Sequence, residues 1–585
     1  MDRVGARATL WLTSAALSAV VVGPVLAGGD LLYRDAVSTP RSHVTDTALG
    51  LGDTPARAVP QDWLIAVASR IVDGSTVVGG LVFAALLLAG VGFGRLAGRV
   101  VPAARTPGMI AAAIIGIWNP FVAERLLQGQ WSLLLGYAAL GWVILAADAC
   151  RRRCDRRAWA GLAAWIAVAG ITPTGWVLAV VVAVAVVLPR PRVLGGVAVI
   201  GVVTSLPWTV AAVLSTAPAT SDTAAVAAFA ARAETGLGTL GTLAGLGGIW
   251  NADAVPSSRT GVWAPVATLC LLAVVVIGCV TVRRRWRRVR MIGVTATLAA
   301  AVLVLVTLAA TAPGQAVLRA LVDTVPGAGL LRDTSKFVAL LVPFFAIAAA
   351  AAVQTIGRMV PRGLAATFVA LLVIAPLPDL AAGVGGEVRT VSLPADFADV
   401  AALVPADAGD VVVLPTGSNR RYPFTDGVVS LDPAARVLRA PVLATGELFV
   451  DGRAVDTAAD SRAARAEAVL ARGGPPTDLA RLGVGWVLVE AVGPEQSSPT
   501  LRSSPVVYRG DLLTLYRVPD PVVVRASTTD RVVSWAAHLL WLAVILGGAC
   551  VAGFGRVAPR SGRRLFSWGA WRAPTPPPTS PRSAG

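Results

Sequence analysis

The chain has 585 residues, of which 55% are hydrophobic and only 15% charged, with a mean hydropathy of +0.69. Soluble domains carry about 25% charged residues, so this composition excludes a disordered protein, a disulfide-rich secreted scaffold and an ordinary cytosolic enzyme, and points to a polytopic membrane protein. The 51 basic residues exceed the 34 acidic ones by 17, but they lie in short runs between apolar stretches, as the positive-inside rule places them, and do not gather on one nucleic-acid-binding face.

Apolar runs of about 20 residues or a little fewer predict spans near 8–28, 76–94, 107–120, 131–149, 158–170, 175–188, 193–216, 262–282, 291–312, 337–356, 363–380 and 533–555. Residues 1–28 also fit a cleaved signal peptide ending near Val25-Leu26-Ala27. The fifth and sixth runs flank Ile171-Thr172-Pro173-Thr174-Gly175, a turn signal, and read either as two short helices or as one kinked helix. Arginines follow the second, fourth, sixth, eighth, tenth and twelfth runs: Arg95 to Arg105, Arg151 to Arg157, Arg190 and Arg192, Arg283 to Arg290, Arg358 and Arg362, Arg556 to Arg564. They fall on one side only if 158–188 crosses twice, so the expectation is twelve spans with both termini cytoplasmic. Segments 29–75, 217–261, 313–336 and 381–532 then lie outside.

The first outer segment begins Gly28-Gly29-Asp30-Leu31-Leu32-Tyr33-Arg34-Asp35. A carboxylate at the membrane boundary is partly desolvated, which raises its basicity, so Asp35, or Asp30 in its place, is a candidate general base for a sugar hydroxyl; solvation of the loop is the alternative. Residues 60–72 place Trp63, Leu64, Val67 and Ile71 on one face of an interfacial helix. Between two spans, Trp118-Asn119-Pro120 breaks a helix and is followed by Glu124, Arg125, Gln128 and Gln130, costly polar groups at membrane depth. Arg125 is either a bidentate phosphate ligand or half of a packing Glu–Arg pair. Before the tenth run, Leu331-Arg332-Asp333-Thr334-Ser335-Lys336-Phe337 carries the only lysine in the chain. Arg332 and Lys336, four apart, would share a helix face at a positive helix start, which makes an anion site; snorkelling to headgroups is the alternative.

Residues 381–532 read as a small α/β domain. Helices are expected near 395–404, 461–472 and 477–482, buried strands at 410–415 and 484–490, and a hairpin of 506–508 with 512–518 around Arg509-Gly510-Asp511. A Pro- and Ser-rich stretch from Ala573 ends a basic cytoplasmic tail, 556–585, and is expected to be disordered. The five cysteines (Cys150, Cys154, Cys270, Cys279, Cys550) lie in or beside apolar runs, and His43 and His538 are the only histidines, which argues against a disulfide framework, a zinc site or a histidine-centred triad.

An acid just after the first span, an interfacial helix in the first outer loop, many spans and a C-terminal outer domain together resemble the GT-C class of membrane glycosyltransferases. Leu331-Arg332-Asp333-Thr334-Ser335-Lys336-Phe337 is similar to the Leu-Arg-Asn-x-x-Lys-Phe stretch of the membrane module of mycobacterial arabinofuranosyltransferases, with Asp333 in place of Asn; Asn119-Pro120 and Arg125 also look like that group. The resemblance covers 1–380 and implies an actinobacterial cell-wall enzyme with a polyprenyl-phosphate sugar donor, inverting in one displacement. It implies Asp35 as base with Asp30 as its weaker substitute, Arg125, Arg332 and Lys336 on the donor phosphate, and Asn119, Gln128 and Gln130 orienting sugar or lipid. The acceptor is a cell-envelope glycan or lipid, and membrane lipids are the other partner; nucleic acid is not. No cofactor is required, and no ligand cluster calls for the divalent metal that some relatives use. The expected fold is thus an α-helical polytopic membrane protein of about twelve spans with a small α/β extracytoplasmic domain. A lipid or solute transporter and a non-catalytic scaffold for envelope assembly remain as alternatives.

Overall fold

The computed structural model describes residues 3–53, 58–215, 224–283, 285–286, 288–446, 448–450, 453–456, 461–492 and 498–554. The chain is mostly helical, and among the described residues nine helices are long and apolar enough to cross a membrane, or ten if one bent pair counts as a single span. The protein is therefore a multi-pass membrane protein by helix length and composition.

Twelve spans are not found, for two physical reasons. The run 158–188 forms two separate helices, Arg156–Ala169 and Pro173–Val187, of 14 and 15 residues. At 1.5 Å per residue each is about 22 Å long, short of a hydrocarbon core about 30 Å thick. Thr172 ends the connection as an N-cap, its Oγ1 accepting the Gly175 N–H at 3.0 Å. The run 363–380 bends by 84° after Ile374, where Pro376 and Pro378 interrupt it.

Small residues let the helices approach closely. A Cβ on Gly141 would lie 2.7 Å from the Gly92 carbonyl carbon, and one on Gly136 would lie 2.6 Å from the Gly175 Cα, so these crossings are close backbone-to-backbone contacts.

The C-terminal domain is a five-stranded mixed sheet in the order Val506–Arg509, Leu513–Arg517, Val484–Glu490, Asp410–Leu414, Val442–Leu443. The two central strands run parallel in register Val412↔Val487, and the hairpin pairs Tyr508↔Leu515. Both faces of the centre are covered. Val411, Val413, Trp486 and Leu488 pack with Phe397 of the helix Ala395–Leu403, while Val412, Leu414 and Val487 pack with Ala466 and Val469 of the helix Arg462–Arg472. That burial explains the unbroken apolar run of residues 411–414 in this strand. The expected strands and helices here are all present within two residues; the Ala573 tail lies outside the described residues.

The interfacial helix expected over 60–72 is shorter, Gln61–Ala68. Trp63 is buried, but Ile71 lies past the helix end and is 88% exposed, so the four-residue apolar face is not continuous. The loop from which this helix springs is fastened to the C-terminal domain and to the first turn of the last helix, Thr528–Phe554, rather than lying free. Asp30 and Val391 exchange backbone hydrogen bonds of 2.7 Å each way, Arg462 Nε meets Asp53 at 2.5 Å, Arg436 meets Asp62 at 3.2 Å, and Arg531 holds Asp46 with two bonds of 2.7 Å.

Candidate functional site

The first loop folds back as a two-strand ladder, Leu32–Tyr33 with Ala36–Val37, leaving Arg34 and Asp35 as its turn. Two-residue hairpin turns need positive φ, and Arg34 takes it at +51°. A left-handed arginine persists only where its surroundings hold it. Here the Arg34 N–H donates to the Val429 carbonyl at 2.7 Å, its carbonyl accepts the Leu431 N–H at 2.9 Å, and its Nη2 donates to the Asp253 carbonyl at 2.7 Å. The strand Val429–Leu431 of the C-terminal domain thus fixes the residue before Asp35.

Asp35 is half-buried and faces 128–130. Its N–H donates to the Gln128 carbonyl at 3.2 Å, and its Oδ2 accepts from Gln128 Nε2 at 3.3 Å and Gln130 Nε2 at 3.4 Å. Gly129 makes this approach possible. It has φ +77°, and a Cβ there would lie 2.4 Å from the Ala36 nitrogen. Burial raises the Asp35 pKa, opposed by the hydrogen bond from Gln128, the Lys336 charge, the hydrogen bond from Gln130 and the Arg34 charge.

Arg125 sits on the helix Pro120–Leu127 and is fully buried. Nη1 donates to Gln130 Oε1 and Nη2 to Ser335 Oγ, both at 2.9 Å; Asp333 Oδ2 and Glu124 Oε2 stand off at 3.7 and 3.8 Å. Glu124 in turn accepts the N–H groups of Gly248 and Ile249 at 2.9 and 3.2 Å, and Gln128 Oε1 accepts from Asn251 Nδ2 at 2.8 Å. The three polar segments 29–75, 119–130 and 326–337 therefore meet at one junction, to which 248–251 adds a fourth wall.

The Arg332–Lys336 stretch departs from a simple helix start. Two short 3₁₀ turns, Ala328–Leu331 and Thr334–Leu341, are separated at Arg332 and Asp333, so the two cations do not share an α-helical face. The Arg332 guanidinium lies over the Phe229 ring at 4.6 Å, while Lys336 Nζ, 23% exposed, meets Asp333 Oδ2 at 3.4 Å. Asp333 is buried between Lys336 and Arg125 and accepts from Ser335 Oγ at 2.7 Å. Burial would raise its pKa, but Lys336, Arg125 and Ser335 outweigh it and hold the carboxyl below its usual value.

Two other residues singled out from sequence have their polar groups committed elsewhere. Asp30 Oδ1 accepts from Ser75 Oγ at 2.5 Å and Oδ2 from the Leu393 N–H at 3.3 Å, so Asp30 ties the loop to its neighbours. Asn119 caps its helix by accepting the Val122 N–H at 3.1 Å, and its Nδ2 donates to the Ile115 carbonyl at 2.8 Å and reaches the Tyr137 hydroxyl at 3.2 Å. Sequence reasoning passed over the central position of Asp333, Ser335 and Asn251. The first two were legible as polar residues inside a five-residue break between apolar runs; Asn251 carried no such signal.

Among the described residues no group of three His, Cys, Asp or Glu side chains is placed to hold a metal ion. Two clefts lie away from the junction: a cavity of about 40 Å³ between the first loop and Arg436, lined by His43 and Asp62, and an apolar groove of about 440 Å³ along Trp159 and Gly196. The sequence matches no family model and no curated protein.

Proposed function

We propose that the chain is an integral membrane glycosyltransferase of the GT-C type that moves a sugar from a polyprenyl-phosphate donor to a cell-envelope glycan or lipid on the outer face of a bacterial plasma membrane. The observation that supports it is a half-buried carboxylate, Asp35, whose basicity burial raises, within the electrostatic reach of a partly exposed cation, Lys336, that is itself paired with Asp333. In this reading the acceptor hydroxyl attacks the anomeric carbon, Asp35 takes its proton, and the carbon–oxygen bond to the phosphate breaks with inversion. The polyprenyl phosphate leaves as an anion and needs a cation rather than an acid, a role for Lys336. Gln128 and Gln130 orient Asp35. Arg125, with both Nη groups bonded internally, positions Gln130 and Ser335 instead of gripping phosphate. Arg332 flanks the site through Phe229.

Asp35→Asn keeps the size of the side chain and removes the basic oxygen. With membrane abundance measured in parallel, transfer from a polyprenyl-phosphate sugar should fall about 10²–10⁴-fold, whereas Lys336→Ala should also weaken donor binding. Unchanged transfer in both variants would sink the enzyme reading. One observation favours a scaffold for envelope assembly in that event: Arg125, Gln130, Ser335 and Asp333 are bonded to one another, as a packing device would be.

A further inference from the structure

The helix Ala312–Thr324 buries none of its 13 residues. Its sequence is nevertheless two-sided. At 100° per residue Gly314, Val317, Leu318, Leu321 and, just past its end, Val325 fall on one side, and Gln315, Arg319 and Asp323 on the other. Arg319 Nη2 donates to Gln315 Oε1 at 3.3 Å along the polar side, while Val317 on the apolar side is 69% exposed. A helix that exposes an apolar face is ordinarily covered by something.

Its attachment indicates what covers it. The helix begins three residues after the candidate span Arg290–Ala309, and Thr311 caps it by accepting the Gly314 N–H at 3.3 Å. Gly314, on the apolar side, lies so close to the span that a Cβ would come within 2 Å of the Leu308 carbonyl oxygen. The apolar side therefore abuts the end of the span, where Val304, Leu305 and Leu308 are themselves exposed. Apolar surface on a membrane span faces acyl chains, and here it continues onto the helix. Arg319 and Asp323 cancel, so the helix carries no net charge to attract anionic headgroups.

We propose that Ala312–Thr324 lies on the bilayer, its Val317–Leu321–Val325 side sunk into the boundary between headgroups and acyl chains. Through the turn at Gly327, φ +84°, and the Ala328–Leu331 turn it leads directly into Arg332 and Asp333. The docked helix thus holds Lys336 at headgroup level, where a lipid phosphate reaches it; this last consequence rests on the proposed function, and the docking itself does not.

The test uses the full chain in phosphatidylcholine vesicles, with photoreactive p-benzoylphenylalanine in place of Val317, Asp323 or, as a span control, Leu305. Irradiation should give phospholipid adducts at 317 and 305, several-fold more than at 323, and with equal yield when anionic lipid is added. Equal yields at 317 and 323, adducts at 305 alone, a cross-linked protein dimer through 317, or a requirement for anionic lipid would each overturn the proposal. None of these readouts involves sugar transfer, so failure here and failure of the enzyme reading are separate results.

Discussion

Two buried arginines, each between two carboxylates, show how differently the same ingredients are used in this molecule. Arg420, in the C-terminal domain, bonds Glu490 through Nε, Asp432 through Nη2 at 3.3 Å, and the Gly417 and Asn419 carbonyls through Nη1. Glu490 also accepts from the Tyr422 hydroxyl at 3.0 Å, and Asp432 accepts the Ala434 N–H at 2.7 Å. Every nitrogen of that guanidinium has a partner. Arg125, where the polar segments meet, keeps its carboxylates at 3.7 and 3.8 Å, and its Nε is buried without a hydrogen bond to another described residue. Buried polar atoms are normally satisfied. The first cluster binds its arginine through charged hydrogen bonds and reads as a structural knot; the second holds its arginine through Gln130 and Ser335 and keeps its carboxylates at a distance, beside the partly exposed Lys336.

The largest effect should come from breaking the closed cluster. Arg420→Ala leaves the buried Glu490 and the partly buried Asp432 without their cation, which costs about 3–5 kcal/mol. The C-terminal domain should lose protease resistance and thermal stability, and a variant that remains as stable as the parent would remove the distinction between the clusters.

At the junction, on the proposed function, Asp35→Asn should leave folding intact while transfer falls by about 10²–10⁴, or roughly 3–5 kcal/mol of barrier. Comparing Tm and turnover for these two variants separates structural from chemical roles directly.

Gly129→Ala should be intermediate. The added Cβ meets the Ala36 nitrogen, and φ +77° is strained for alanine, at a cost of about 1–3 kcal/mol. It should disturb Asp35 more than global stability, visible as lower turnover with a small change in Tm.

The closed cluster should also carry a pH dependence. Burial first, then the Asp432 charge, pushes the Glu490 pKa up from 4.5 to about 8. A raised acid holds its proton longer when folded than when unfolded, so its contribution is full below about pH 4.5 and declines as pH rises toward 8. Thermal unfolding of the C-terminal domain should shift downward between pH 5.5 and 8.5, and Glu490→Gln should flatten that slope. A slope unchanged by Glu490→Gln would place the titration elsewhere.

Local pattern made much of the fold legible. The strands at 410–414 and 484–490 stood out as valine-rich apolar runs, Val411-Val412-Val413-Leu414 and Trp486-Val487-Leu488-Val489, and the long spans as apolar runs between arginines. The number of crossings was less legible, because Arg156–Ala169 and Pro173–Val187 are apolar enough but too short, and length becomes decisive only once Thr172 and Pro173 are seen to end one helix and start another. For the site, polarity at membrane depth picked out Asp35, Arg125, Gln128, Gln130 and Lys336. It ranked Asp35 ahead of Asp30 without showing their partners: Asp35 meets Gln128 and Gln130, whereas Asp30 meets Ser75 and Leu393.

The sequence alone determined the membrane class, the α/β character of the C-terminal domain and the presence of three polar interruptions, because each follows from the solubility of nearby side chains and from backbone preferences over a few residues. Tertiary structure decided the rest: that Val429 and Leu431 hold Arg34, that Gly129 admits the Asp35 turn, that Asp333 stands between Arg125 and Lys336. All of these contacts but Asp333–Lys336 join residues from tens to hundreds of positions apart. Charge pairing and burial act through space, and no periodicity along the chain records which distant groups will share a dielectric.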